Sequence, residues 1–225
     1  MNRQNIDYIA GASLSPEKIS WIGKYTPSTA GDALDLGCGA GLYSTWLADR
    51  KWRVNALDIN EPPPLKNIQT RAHNLEQGLP FPDGSFDLIL AWDILEHLVE
   101  ENQMWKEIAR ILRPGGILLG SVPHNGDQRL QKYNLIFKHH IDKTHQREYS
   151  SKDIEERLRL ARLELQAIEL KGPVSPQVIA EFISLKAMRR PAALLVGAAR
   201  RLGFLSFGEL YADIFFAAKK PLSVS

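Results

Sequence analysis

One stretch, Leu34-Asp35-Leu36-Gly37-Cys38-Gly39-Ala40-Gly41-Leu42, limits the folds open to this chain more than any other. An apolar run of strand character passes into a loop with glycine at alternate positions, then into a helix-forming segment. Glycine there lets a ligand lie against the backbone. The helix that follows begins with amide N–H groups that no helical carbonyl satisfies, and these face the same ligand. Leu42 makes the spacing G-x-G-x-G, not the G-x-G-x-x-G of dinucleotide-binding loops. The loop therefore points away from NAD and toward a nucleoside cofactor without a pyrophosphate.

The remaining patterns fit an alternating strand–helix chain. Ser15-Pro16 predicts the start of a short helix, Ser15 as its cap, with Ile19 and Ile22 facing inward. Strands are predicted over 33–36, 53–58, 70–75, 86–91, 117–122, 165–170 and 210–218, and helices over 42–50, 96–112 and 152–163. The 96–112 helix would turn Val99, Trp105, Ile108 and Leu112 inward. The run over 86–91 is almost wholly apolar, as expected of a strand covered on both faces. This alternation implies a doubly wound, mainly parallel sheet, with its ligand beyond the C-terminal strand ends.

Composition narrows the setting. Cys38 is the only cysteine of 225 residues, so no internal disulfide can form and a reducing, cytoplasmic compartment is expected. Residues 1–10 carry Arg3 and Asp7 without an apolar run, unlike a signal peptide. The net charge of +2 is uneven: from Lys171 onward eight Lys/Arg stand against three Asp/Glu. A nucleic-acid binder of this size would be basic throughout, so nucleic acid is disfavoured as a partner, and the basic C-terminal part suggests a local role. No sequence feature specifies an oligomeric state.

Five segments in order make the chain resemble the class I S-adenosylmethionine (SAM)-dependent methyltransferases of small-molecule type. They are Leu34-Asp35-Leu36-Gly37-Cys38-Gly39-Ala40-Gly41, Ala56-Leu57-Asp58, 79–89, Glu96-His97-Leu98 and Leu112-Arg113-Pro114-Gly115-Gly116. The resemblance implies a Rossmann-like, doubly wound seven-stranded sheet whose last strand is antiparallel, as one domain over 1–225. It implies SAM as cofactor, its methionyl part on Gly37, Cys38, Gly39 and Gly41 and its ammonium near Asp35. Asp58, followed by Ile59, would take the ribose hydroxyls. Asn74, where the family usually has Asp, and Leu75 would meet the adenine edge, and Ala91 and Trp92 the methionyl group. Cys38 is loop filler, because the methyl passes directly from sulfur to the acceptor. Trp46, Trp52 and Trp105 read as packing, and Asp87 as structural.

An oxygen or nitrogen acceptor also needs a base. Two clusters could supply one: Asp93 and His97 in Asp93-Ile94-Leu95-Glu96-His97, and His145 and Tyr149 in 139–150. A helix starting near Asp93 would put 93, 96 and 97 on one face. That cluster is similar to the Glu-x-x-Glu-His of metal-assisted O-methyltransferases, with Asp for the first Glu. The competing reading makes Asp93 a helix cap, and no metal is expected. His139 and His140 are expected in solvent, and Ser150 or Ser151 as the next cap.

Residues 173–208 exceed what the minimal fold needs and predict a helical insertion, starting at Ser175-Pro176, broken at Arg189-Arg190-Pro191 and resuming over 192–202. The preferred reading of the insertion is a helical hairpin that covers the sheet edge or closes the substrate pocket; the other is a peripheral membrane contact through 176–207. The expected function is methyl transfer to a small-molecule or lipid-like acceptor. The rival readings are a metal-assisted RNA 2′-O-methyltransferase and a non-catalytic interaction protein, the latter disfavoured by the intact loop and Asp58.

Overall fold

The structure is a computed structural model and describes residues 13–126, 144–173, 186–203 and 211–222. In chain order the elements are α1 (Pro16–Tyr25), β1 (Asp32–Leu36), α2 (Leu42–Ala48), β2 (Arg53–Asp58), β3 (Ile68–Ala72), β4 (Phe86–Trp92), α3 (Glu101–Ile111), β5 (Leu112–Pro123), α4 (Ser151–Leu160), β6 (Glu164–Pro173), α5 (Arg189–Arg201) and β7 (Tyr211–Lys219). One seven-stranded sheet has the order β3-β2-β1-β4-β5-β7-β6. β1 to β5 run parallel, and β7 runs antiparallel to both its neighbours, β5 and β6. The sheet is the doubly wound, seven-stranded one expected, with its last strand reversed.

Alternation along each strand makes two cores. Ile89, Ala91, Leu118 and Phe216 pack on one face with Trp105 and Ile108 of α3 and Ile154 and Leu158 of α4. Leu88, Leu90, Trp92, Leu119 and Phe215 face the other way, onto Trp21 and Ile22 of α1 and Leu47 of α2. Both faces of β4 are thus buried, which explains its unbroken apolar run.

Local chemistry sets the boundaries. Ser15 caps α1 by accepting from the Lys18 amide at 3.3 Å, with Pro16 in the first turn. Ser150 and Asp153 form a reciprocal capping box on α4, so Ser150 is the cap. The helix predicted over 96–112 begins only at Glu101. Asp93 is left-handed at φ 51°, and Leu95–His97 is a single 3-10 turn. Val99 is consequently 61% exposed, and Met104, Trp105, Ile108 and Ile111 form the inward face. In the insertion, Arg189-Arg190-Pro191 forms the first turn of α5, after a 3-10 turn over Lys186–Met188, because proline fits a first helical turn. The helix start at Ser175-Pro176, His139 and His140 lie outside the described residues.

Candidate active site

The glycine loop closes the C-terminal end of β1. Gly37, Gly39 and Gly41 all have positive φ, at 68°, 52° and 72°. A Cβ on Gly37 would lie 2.7 Å from the Ile94 side chain, and one on Gly41 2.1 Å from Leu65. A Cβ on Gly39 would meet nothing within 4 Å, so its bare backbone borders open space. The loop is braced from β2: the Cys38 amide donates to the Leu57 carbonyl at 3.0 Å, and the Gly39 amide to Asp58 Oδ2 at 2.9 Å. Burial pushes the Cys38 thiol well above its usual range, which suits loop filler and not a nucleophile.

Asp58 ends β2. Its Oδ1 also accepts from the Asn60 amide at 3.0 Å. Each carboxylate oxygen has two lone pairs, so capacity remains for two donors. Ile59 beside it is 70% exposed, an apolar surface next to a half-buried acid. Asn74 caps the short turn Leu75–Gln77, its Oδ1 accepting from the Glu76 amide at 3.0 Å, and Leu75 is buried beneath it. Asp35 is buried and accepts from Ser44 Oγ at 2.6 Å; burial pushes its pKa up to about 6. Ala91 is fully buried, and the Trp92 ring packs on Tyr43 and Phe215.

Beyond β4 and β5 lies a second group of polar side chains. Asp93 does not share a helical face with Glu96 and His97, because no helix runs there. Its carboxylate accepts from Ser121 Oγ and, at 2.5 Å, from Lys18 Nζ. Burial opposes the Lys18 charge, but Asp93 outweighs it and raises the ammonium pKa overall. Lys18 also lies 5.4 Å from the Trp92 ring centroid. Glu96 is buried, its Oε2 has no hydrogen-bond partner, and burial and then the charge of Asp93 push its pKa up to about 8. His145 Nε2 lies 4.0 Å from Glu96 Oε1, and its ring meets that of His97 edge-on at 4.7 Å. The loop is held there by Gln146 donating to the Glu96 carbonyl at 2.8 Å and by Thr144 against His97 Nδ1. Glu96, His97 and His145 each present one ligand atom, all within 4.8 Å of one another.

Tyr149, read from sequence as a candidate base, does not belong to this group. It is buried in the core at 1% exposure, and its hydroxyl donates to Glu101 Oε2. Glu101 is itself 3% exposed and pairs with Arg157 at 2.7 Å and Arg147 at 3.1 Å. Burial, then Glu101, holds the phenol far above its ordinary range, so Tyr149 is a structural anchor and not a proton acceptor.

Two residues escaped the sequence reading. Lys18 meets Asp93 across 75 positions, a separation no local pattern reveals. Asp213 stands opposite Pro123 on β7, and burial, then the charge of Asp93, pushes its pKa up to about 7. Its signal was legible: an acid in an otherwise apolar strand.

Residues 34–120 match the family described as a methyltransferase domain. The chain is 36% identical over 99 residues to a "probable S-adenosylmethionine-dependent methyltransferase" of Mycolicibacterium smegmatis, covering 41% of this chain and 38% of the relative. It is 35% identical over 99 residues to the ubiquinone biosynthesis O-methyltransferase of Caulobacter vibrioides, covering 38% of each. The chain thus spans about two fifths of the length of the curated relatives it matches. The solved structure of the cyclase SpnF superposes with a TM-score of 0.64 at 18% identity, covering 98% of this chain and 92% of that one. At that identity the likeness is one of fold.

Proposed function

Through residues 34–120 the chain belongs to the class I SAM-dependent methyltransferase family, and on that premise we propose that it transfers a methyl group from SAM to a small-molecule or lipid-like acceptor. The observation that carries the reading is the join between the glycine loop and Asp58. Backbone open at Gly39, a strand-end carboxylate and the exposed Ile59 lie together at the end of β1 and β2. These residues fit SAM: the loop takes the methionyl part, Asp58 the ribose hydroxyls, Ile59 the adenine face, and Asn74 with Leu75 its edge. SAM supplies an electrophilic methyl group, so the chain's work is mainly placement, worth ~7–11 kcal/mol in well-oriented systems. In this reading His97 and His145, whose rings meet edge-on, take the acceptor's proton, and the reversed β7 brings Asp213 to the same end of the sheet. The single cysteine supports a reducing, cytoplasmic setting, and no helix among the described residues is long and apolar enough to cross a membrane.

The test is product labelling. With SAM carrying a radioactive methyl group, the protein should label an organic-extractable or small-molecule fraction of a cell extract. Asp58→Ala should abolish the signal. Labelling confined to the RNA fraction would overturn the acceptor class.

A second reading, metal-assisted transfer to a hydroxyl, is favoured by one observation, the convergence of Glu96, His97 and His145. One carboxylate and two imidazoles make a donor set suited to a divalent transition cation with a position left for substrate. Asp93 stands outside this set because Lys18 and Ser121 hold its carboxylate. In this reading Mn²⁺ or Zn²⁺ binds with calorimetric heat, chelation with EDTA lowers activity at least ~10-fold, and His145→Ala removes both effects. Full activity in EDTA together with no measurable metal binding would exclude it.

A further inference from the structure

We propose that the exposed face of α5 docks on an anionic lipid bilayer. From Lys186 to Gly203 the sequence holds five basic residues and no acid. Leu194, Leu195 and Leu202 are 76%, 71% and 71% exposed, and Arg190, Ala198 and Arg201 are exposed with them. Positions 190, 194, 198 and 201–202 recur at helical spacing, so leucines and arginines share one side of the helix. At a rise of ~1.5 Å per residue, Arg190 and Arg201 stand about 16 Å apart with the apolar stripe between them.

This pattern fits a bilayer surface better than an acidic protein. Arginines alone would serve an acidic partner, whereas three leucines exposed to water along one side of a helix call for an apolar medium as well. A helix lying in the interface supplies it: leucines sink below the headgroups, and the long arginine stems let the guanidiniums reach lipid phosphates. The connectivity gives the contact a purpose. The chain leaves β6 at Pro173, which pairs with Tyr211 at the start of β7, and Asp213 pairs with Pro123 at the end of β5. The insertion therefore departs from and returns to the end of the sheet that carries Asp93, Glu96 and His145. Docking through α5 tethers that end to the membrane by the chain on either side of the helix, and the corollary of a lipid acceptor rests on the methyl-transfer reading above.

The full chain is tested by flotation with vesicles of phosphatidylglycerol and phosphatidylcholine, against phosphatidylcholine alone. The two exposed arginines predict a roughly 30-fold preference for the anionic vesicles, fading as salt rises. The double variant Leu194→Glu/Leu195→Glu should float at least ~10-fold less while keeping its circular dichroism and SAM affinity. Arg190→Glu/Arg201→Glu should lose the anionic preference, and serves as the test if the leucine variant fails to fold. No flotation with anionic vesicles, or undiminished flotation of the variants, overturns the proposal. Binding to soluble polyglutamate without binding to vesicles overturns it in favour of an acidic protein. Flotation without SAM binding supports docking and removes only the methyl-transfer reading.

Discussion

Asp58→Ala is expected to lower SAM affinity at least ~100-fold, measured by calorimetry on the folded protein. Hydrogen bonds to a charged acceptor are worth about 1.5–3 kcal/mol each, and the ribose would offer two. The substitution also removes the acceptor of the Gly39 amide and so loosens the loop on which the methionyl part would lie. Asp58→Asn separates these roles. Its single carbonyl oxygen can keep the brace to Gly39 but cannot offer two anionic acceptors, so its affinity should fall between wild type and Asp58→Ala. If Asp58→Ala bound SAM within threefold of wild type, Asp58 would be a loop brace alone.

Glu101→Ala is expected to lower stability markedly, although the residue lies outside the site. Its buried carboxylate joins Arg147, Arg157 and the Tyr149 hydroxyl. Removing Glu101 costs about 3 kcal/mol, the low end for breaking a buried ion network, because the Tyr149 hydroxyl stays buried while Arg147 and Arg157 still reach solvent. Urea denaturation should therefore show a large fall in midpoint, with Tyr149→Phe following at about 1–3 kcal/mol for the orphaned carboxylate oxygen. Activity per folded molecule of Tyr149→Phe should stay close to wild type. A fall in kcat without a fall in stability would return Tyr149 to the candidate bases.

The glycine loop and the acid at the end of β2 were legible because their determinants are local. Alternating glycines, an acid at the end of a strand and an apolar run each occupy a few consecutive residues, and parallel topology carries them to one edge. The polar group beyond β4 and β5 was legible in its residue types and not in its arrangement. Glu96, His97 and His145 could be singled out, but a helix was assumed from 96 onward. The chain instead turns left-handed at Asp93 and makes a tight turn before Glu101. Counting helical positions from Val99 shifted the inward face, since the sequence before Glu101 has no side-chain cap to mark the true start. Tyr149 was misassigned for a related reason: a tyrosine beside a histidine-rich loop looks functional until its hydroxyl is found on Glu101, 48 positions away.

The single reversed strand has a consequence for how such a protein can change. Everything proposed to hold the donor lies between Leu34 and Trp92, in contiguous chain, whereas the second polar group is assembled from Lys18, from 93–97, from the loop around His145 and from the start of β7. The family model matches residues 34–120, ending near the end of β5. Because β7 enters where the parallel strands finish, the chain between Pro173 and Tyr211 leaves and rejoins the sheet at that end, and its length and sequence can change while the pairing of Pro173 with Tyr211 stays in place. Inheritance can therefore keep the methyl donor fixed while the recipient drifts, and chimaeras that graft this segment between relatives should exchange acceptor preference and leave cofactor affinity in place.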